Sequence, residues 1–227
     1  MATCESFGVI FDVDGVLIDS YQPHFESWRQ IARNHGVDYT ETLFAQGFGR
    51  TSREIIARDW NMPHLSPEEI AAIDDAKEAA YREIVATNFP HMPGATELVK
   101  SLHADGFRIA VGSSGPRVNV LLAVEQLGIG DYLDGIVTGQ DVSRGKPDPQ
   151  VFLLAAERLG LPPECCAVVE DAPAGVEAAH AAGMACVGFP STGRVPADVA
   201  QADLKISDLA DLSPQAFREL IAQRGAR

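Results

Sequence analysis

Asp12 and Asp14 stand one residue apart at the end of the apolar run Val9-Ile10-Phe11, with Gly15 directly behind them. Two carboxylates at the mouth of a segment that buries itself repel each other, so something must offset them. Three more short segments end in reactive residue types: Ser113 and Ser114 after "RIAVG", Lys146 within "SRGKPDP", and Glu170 and Asp171 closing "CAVVED". If the apolar runs are parallel strands, their carboxyl ends share one rim of a sheet, where open α/β sheets bind ligands. Clustered carboxylates become favourable when they share a divalent cation, and an oxygen-only donor set suits Mg²⁺.

The substrate group that matches such a rim is a phosphate. Ser113 and the N–H groups at the following helix start can face its oxygens, and Lys146 adds a point charge. With Mg²⁺ and Lys146 neutralising the repulsion between anions, a carboxylate can attack phosphorus to form an aspartyl-phosphate. The second aspartate can protonate the leaving oxygen and then deprotonate the attacking water. Gly15, without a side chain, lets the backbone turn away sharply behind the pair.

Each of these residues also has a plainer account. A DxD at a strand end is commonly a turn, Asp171 could cap the helix begun by Pro173, and Ser113 and Ser114 could cap the helix begun by Pro116. Lys146 alone would be a solvated surface lysine, and His24, four residues before Trp28, could simply pack on an apolar helix face. The combination of acids, hydroxyls and a lysine at successive strand ends favours chemistry over any of these alone. "GFGRTS" (47–52) follows no strand and completes neither dinucleotide nor P-loop spacing, so it is not read as a nucleotide loop.

The elements that must position these residues read as an alternation. "FGVIFD" (7–12), "RIAVG" (108–112), "GIVTG" (135–139), "CAVVE" (166–170), "ACVGF" (185–189) and "LKIS" (204–207) predict strands. The near-continuous apolar character of the central ones predicts burial on both faces, hence a parallel sheet. Between them, Pro116, Pro149 and Pro173 open helices that Gly128, Gly160 and Gly183 close. This predicts a doubly wound α/β sheet. From about Asp19 to Phe89 no strand is evident. Phe25, Trp28, Ile31 and Ala32 make one apolar helical stripe, and residues 67–85 read as one long helix. The reading is therefore a core of residues 1–17 and 91–227 with a helical cap, 18–90, inserted after the first strand.

The 227 residues, 46% of them hydrophobic, suffice for one sizeable core with a smaller second unit. A formal net charge of −14 with no basic cluster argues against a nucleic-acid partner, and no apolar run approaches a membrane span. Cys4, Cys165, Cys166 and Cys186 show no CxxC spacing and are read as buried thiols of a reduced, cytoplasmic protein. A monomer or weak dimer is expected.

"DVDGV" (12–16), "SSG" (113–115), "GKPDP" (145–149) and "VVEDAPAG" (168–175) together resemble, in order, the four motifs of the haloacid dehalogenase superfamily of phosphotransferases. The resemblance covers essentially the whole chain. It implies Asp12 as nucleophile, Asp14 as acid/base, Ser113 and Lys146 as phosphate ligands, and Mg²⁺ bound by Asp12, the Asp14 carbonyl, Glu170 and Asp171. The helical insertion is similar to the small cap of the subgroup of β-phosphoglucomutases, phosphoglycolate phosphatases and sugar-phosphate phosphatases. Within it, "HFESW" (24–28) and "GRTSRE" (49–54) imply a proton-transfer role for His24 and substrate contacts from Gly49, Arg50 and Arg53, with Ser114 added from the core. The hinge threonine of the mutases appears as Ser20. Their further cap lysine has Arg82 as its nearest counterpart. The implied enzyme is a phosphatase of a small phosphorylated metabolite, a sugar phosphate first, whose cap closes over the substrate; the alternative is a β-phosphoglucomutase. Two rivals are a phosphoacceptor module without turnover and a metal-independent dehalogenase.

Overall fold

Six parallel strands form one sheet in the order β3-β2-β1-β4-β5-β6 in this computed structural model, which describes residues 4–48 and 50–225. They are β1 (Gly8–Phe11), β2 (Arg108–Gly112), β3 (Gly135–Val137), β4 (Cys166–Glu170), β5 (Ala185–Gly188) and β6 (Leu204–Lys205). β1 is central: Phe11 lies beside Val111 on one side and Val169 on the other. The strand order reverses at the β1–β4 seam, the position beside which open α/β sheets bind ligands at the carboxyl ends of their strands. Asp12 extends the β4 ladder by one bond, donating its N–H to the Val169 carbonyl at 3.1 Å. The acids after β1 are thereby fixed against those that end β4.

β1, β4 and β5 are buried along their whole length, which is why they read as unbroken apolar runs. β3 stops two residues before the expected end. The Thr138 N–H turns to the Asp141 carboxylate at 2.8 Å, and the Gly139 N–H turns to the Gly115 carbonyl at 3.0 Å.

The helices are α1 (Tyr21–Asn34), α2 (Glu41–Gly47), α3 (Ser52–Glu54), α4 (Pro67–Thr87), α5 (Ala95–Ala104), α6 (Arg117–Leu127), α7 (Gln150–Leu159), α8 (Pro173–Ala181) and α9 (Pro214–Gly225). Pro116 and Pro149 are the caps just ahead of α6 and α7, one residue outside the helical turn expected for them. Gly128 and Gly160 end those helices in the left-handed region.

The chain divides into two compact units: residues up to Asp19 together with those from His91 onward, and Ser20–Pro90. The second unit is helical. Phe25, Trp28, Ile31 and Ala32 of α1 are buried in its apolar core with Tyr39, Phe44, Ile56 and Trp60. α4 begins with a capping box, Ser66 and Glu69 each bonding the other's backbone N–H.

The reading of all four cysteines as buried thiols needs one correction. Cys166 and Cys186 are free and buried, but Cys4 and Cys165 form a disulfide across 161 positions. No sequence spacing signals it. The parallel pairing of Gly8 with Cys166 brings the start of the chain alongside the entry to β4, and the two sulfurs meet there. Among the described residues no helix is long and apolar enough to cross a membrane.

Candidate active site

The rim of the core sheet gathers Asp12, Lys146, Glu170 and Asp171 into one buried cluster. Lys146 Nζ donates to Asp12 Oδ1 at 2.6 Å and to Glu170 Oε1 at 2.7 Å, with its ammonium 4.8 Å from the centre of the Phe152 ring. It is therefore not a solvated surface lysine; its side chain is only 9% exposed. Burial alone would lower its pKa, but the Asp12 and Glu170 charges outweigh that and hold it well above the usual lysine range.

Glu170 is anchored from both sides. Its Oε2 accepts the N–H groups of Asp171 and Ala172, each at 2.8 Å, just ahead of α8. Its carboxyl occupies the space that Gly175 leaves open, where a Cβ would come within 1.7 Å of Oε1. The glycine two residues into α8 is thus required by the acid, not by the helix. Asp171 does not cap α8, whose cap residue is Ala172 with no side-chain bond. Instead Asp171 Oδ2 accepts the Ser191 hydroxyl at 2.6 Å and lies 3.6 Å from Arg194 Nε. Gly15, at φ +81°, passes so close to this carboxylate that a Cβ there would sit 2.2 Å from Asp171 Oδ2.

Ser113 is buried, accepts the Gly115 N–H at 3.0 Å on its Oγ, and leaves the α6 cap to Pro116. Asp14 borders the same glycine, since a Cβ on Gly115 would lie 3.2 Å from Ser113 Oγ and 3.6 Å from Asp14 Oδ2. Ser114 is exposed beside them.

One carboxylate oxygen from each of Asp12, Glu170 and Asp171 lies within 4.8 Å of the other two. Such a buried, oxygen-only set fits a hard divalent cation. The electrostatics fit it as well. Burial first pushes Asp12 up; Lys146 opposes, and Glu170, Asp14 and Asp171 push further. Burial and then the Glu170 charge push Asp171 up to about 7, against Ser191, Arg194 and Lys146. The cluster is short of positive charge.

A pH dependence follows for the metal-free protein. An acid whose folded pKa is raised stabilises the fold fully below its ordinary value, 3.8 for Asp171, and that contribution is lost as pH rises through about 7. Asp141, lowered to about 2, and Asp203, also lowered, behave oppositely: their stabilisation is present above the ordinary value and lost only in stronger acid. In EDTA the melting temperature should therefore fall between about pH 5 and pH 8. A flat or rising melting profile across that window would contradict the strained acid cluster.

In the helical unit, His24 is both packed and bonded. Its ring stacks on Tyr81 with centroids 4.3 Å apart, and its Nδ1 lies 2.9 Å from Lys77 Nζ. Lys77 is 4% exposed, pairs with Glu78 Oε1 at 2.6 Å, and lies over the rings of Trp28 and Tyr81. The buried cation beside His24 in the helical unit is Lys77, where the sequence had offered Arg82 as the nearest counterpart of the mutase lysine. The missed signal is its spacing: Lys77 shares one face of α4 with Ile73, Ala80 and Tyr81.

Arg53 is exposed on α3. Arg50 is tied to Asp59 at 3.4 Å, which gives it a partner within the helical unit. Gly49 lies outside the described residues. Ser191 and Arg194, not singled out from the sequence, reach the cluster from three and six residues beyond the end of β5.

Residues 8–183 match the family model described as haloacid dehalogenase-like hydrolase. Validoxylamine A 7'-phosphate phosphatase of Streptomyces hygroscopicus subsp. limoneus is 36% identical over 211 residues, covering 89% of this chain and 94% of that protein. Phosphorylated carbohydrates phosphatase of Thermotoga maritima is 34% identical over 179 residues, covering 78% of this chain and 81% of that protein. Among solved structures, β-phosphoglucomutase from Clostridium difficile superimposes with a TM-score of 0.86 at 25% identity, covering 98% of this chain and 100% of that one.

Proposed function

The chain belongs to the haloacid dehalogenase-like hydrolase family, and on that footing we propose that it is a Mg²⁺-dependent phosphatase of a small sugar phosphate, working through an aspartyl-phosphate on Asp12. The observation that carries this reading is the buried rim cluster, in which Asp12 shares Lys146 with Glu170 and brings a carboxylate oxygen within 4.8 Å of one from each of Glu170 and Asp171. The names of the two phosphatase relatives support phosphorylated carbohydrates as the substrate class.

In this reading Asp12, the Asp14 carbonyl, Glu170 and Asp171 hold Mg²⁺, which supplies charge neutralisation for a phosphoryl group beside these acids. Lys146 and Ser113 hold the phosphoryl oxygens. An Asp12 carboxylate oxygen bonds to phosphorus as the bond to the sugar oxygen breaks, and Asp14 gives that oxygen its proton. Asp14 then takes a proton from water, the water oxygen attacks phosphorus, and phosphate leaves as the Asp12 carboxylate is restored. Ser114, Arg53, Arg50 and Gly49 are assigned to the substrate. Arg53 is the strongest of the cap residues, being exposed, whereas Arg50 already faces Asp59. The enzyme would act as a monomer or weak dimer. The cytoplasmic location expected from sequence sits against the Cys4–Cys165 disulfide, a bond that a reducing cytosol disfavours.

One observation favours a second reading. The His24–Lys77 pair supplies the histidine and cap lysine that the resemblance to β-phosphoglucomutases calls for. If a second sugar hydroxyl replaces water as acceptor, the enzyme is a mutase. A panel of phosphorylated metabolites with Mg²⁺, scored for both free phosphate and isomerised sugar phosphate, separates the two. Phosphate release that stops on chelation is expected. Isomerisation of β-glucose 1-phosphate outrunning hydrolysis would reverse the assignment. Stoichiometric labelling without turnover would make the chain a phosphoacceptor, and dehalogenation surviving chelation would make it a dehalogenase.

A further inference from the structure

We propose that the turn after β5 sets the Mg²⁺ affinity of the site through two residues of opposite effect on Asp171: Ser191 holds the carboxylate for the metal, and Arg194 competes with the metal for it. This inference rests on the metal site of the proposed function.

Ser191 to Arg194 form a tight turn. The Arg194 N–H donates to the Ser191 carbonyl at 3.0 Å, and Gly193 takes a φ of +80° within it. That geometry directs the first and last side chains of the turn onto one target. The Ser191 hydroxyl donates to Asp171 Oδ2 at 2.6 Å, and Arg194 Nε lies 3.6 Å from the same oxygen. Both side chains are shielded from water: Ser191 is 8% exposed and the Arg194 side chain 15%. The turn is anchored a second time by Thr192, whose hydroxyl donates to Asp19 Oδ2 at 2.8 Å. The backbone at Gly15 packs against Asp171 and Ser191 together, since a Cβ there would also lie 2.7 Å from Ser191 Oγ.

The charges explain why a cation belongs there. With every acid ionised, as metal binding requires, Asp12, Asp14, Glu170 and Asp171 bring four negative charges and Lys146 and Arg194 two positive ones, leaving −4 + 2 = −2. A divalent cation balances that residue of charge. Without Arg194 the balance would be −3, which favours tighter binding of a divalent ion. A guanidinium so near a ligand carboxylate also repels an incoming cation in a medium that screens poorly. Ser191 carries no charge, so its removal only frees the carboxylate. Loss of such an orienting partner commonly weakens metal affinity about 10–100-fold.

The sign separates this inference from a merely structural role. If the turn only shaped the loop, removing either side chain would weaken Mg²⁺ binding. Isothermal titration of the full chain with Mg²⁺ and no substrate provides the readout, with circular dichroism confirming the fold of each variant. Arg194→Met is expected to tighten Mg²⁺ binding about tenfold, the scale of a modest change in local charge. Ser191→Ala is expected to weaken it about tenfold or more. Arg194→Lys and Ser191→Thr should stay near the parent affinity. If Arg194→Met fails to fold, Arg194→Gln makes the same test. Weaker or unchanged binding in the charge-removing variant overturns the inference, as does a change confined to substrate KM. Asp171→Asn is the control for the site itself. If that variant binds Mg²⁺ as the parent does, the metal reading fails; if it loses binding while the Arg194 variants do not tighten, only the role of the turn is lost.

Discussion

Asp12→Asn is expected to reduce kcat by at least about 10⁴-fold, the scale seen when a covalent nucleophile is removed, while the protein stays folded. An amide has no anionic oxygen to bond to phosphorus, so the first step of the proposed cycle has no donor of electrons. The fold should tolerate the change because Asp12 is already under strain as an anion. It is buried beside Glu170 and Asp171, and its pKa is driven up by burial and by those charges. A neutral side chain of the same shape removes that repulsion, and its oxygen can still accept from Lys146. Thermal melting in EDTA should therefore show the variant at or above the parent. Near-parent turnover by the folded variant would take the nucleophile's role from Asp12. Collapse of the fold would show that the acid is held by its charge.

Much of this site was legible because its chemistry is written at strand ends. Asp12, Glu170 and Asp171 follow apolar runs that must be buried strands, and a parallel sheet puts the carboxyl ends of such strands on one rim. The register that brings Phe11 beside Val169 then completes the cluster. What was not legible depends on pairings with no local signal. The Cys4–Cys165 disulfide joins positions whose proximity only the β1–β4 register creates. Ser191 and Arg194 lie beyond the end of β5, in "PSTGRV", which reads as an ordinary polar turn. Their meeting with Asp171 depends on the left-handed Gly193 and on the missing side chain of Gly15. Lys77 was hidden for a different reason. A lysine in the acidic, mixed stretch of α4 looks solvated, and only the aromatic faces of Trp28 and Tyr81 together with His24 and Glu78 make its burial tenable.

Lys146→Met should be the most destabilising single change at the site. The lysine is the shared hydrogen-bond donor of Asp12 and Glu170, and its side chain is almost fully shielded. A methionine of similar length can keep the contact with Phe152 but leaves two buried carboxylates facing each other. Removing one partner of a buried ion pair typically costs about 3–5 kcal/mol, because the partner left behind is uncompensated. For a chain of this size that is a fall in melting temperature of roughly 6–20 °C. The loss should shrink as pH drops, since protonating either acid ends the repulsion. It should shrink again in the double variant Asp12→Asn/Lys146→Met, in which one of the two charges is gone. A cycle built from these variants isolates the coupling between Lys146 and Asp12. If the single variant melts with the parent at neutral pH in EDTA, the lysine does not offset the acids. The cluster would then have to be neutral through protonation, and the case for a phosphate-binding cation at Lys146 would fall with it.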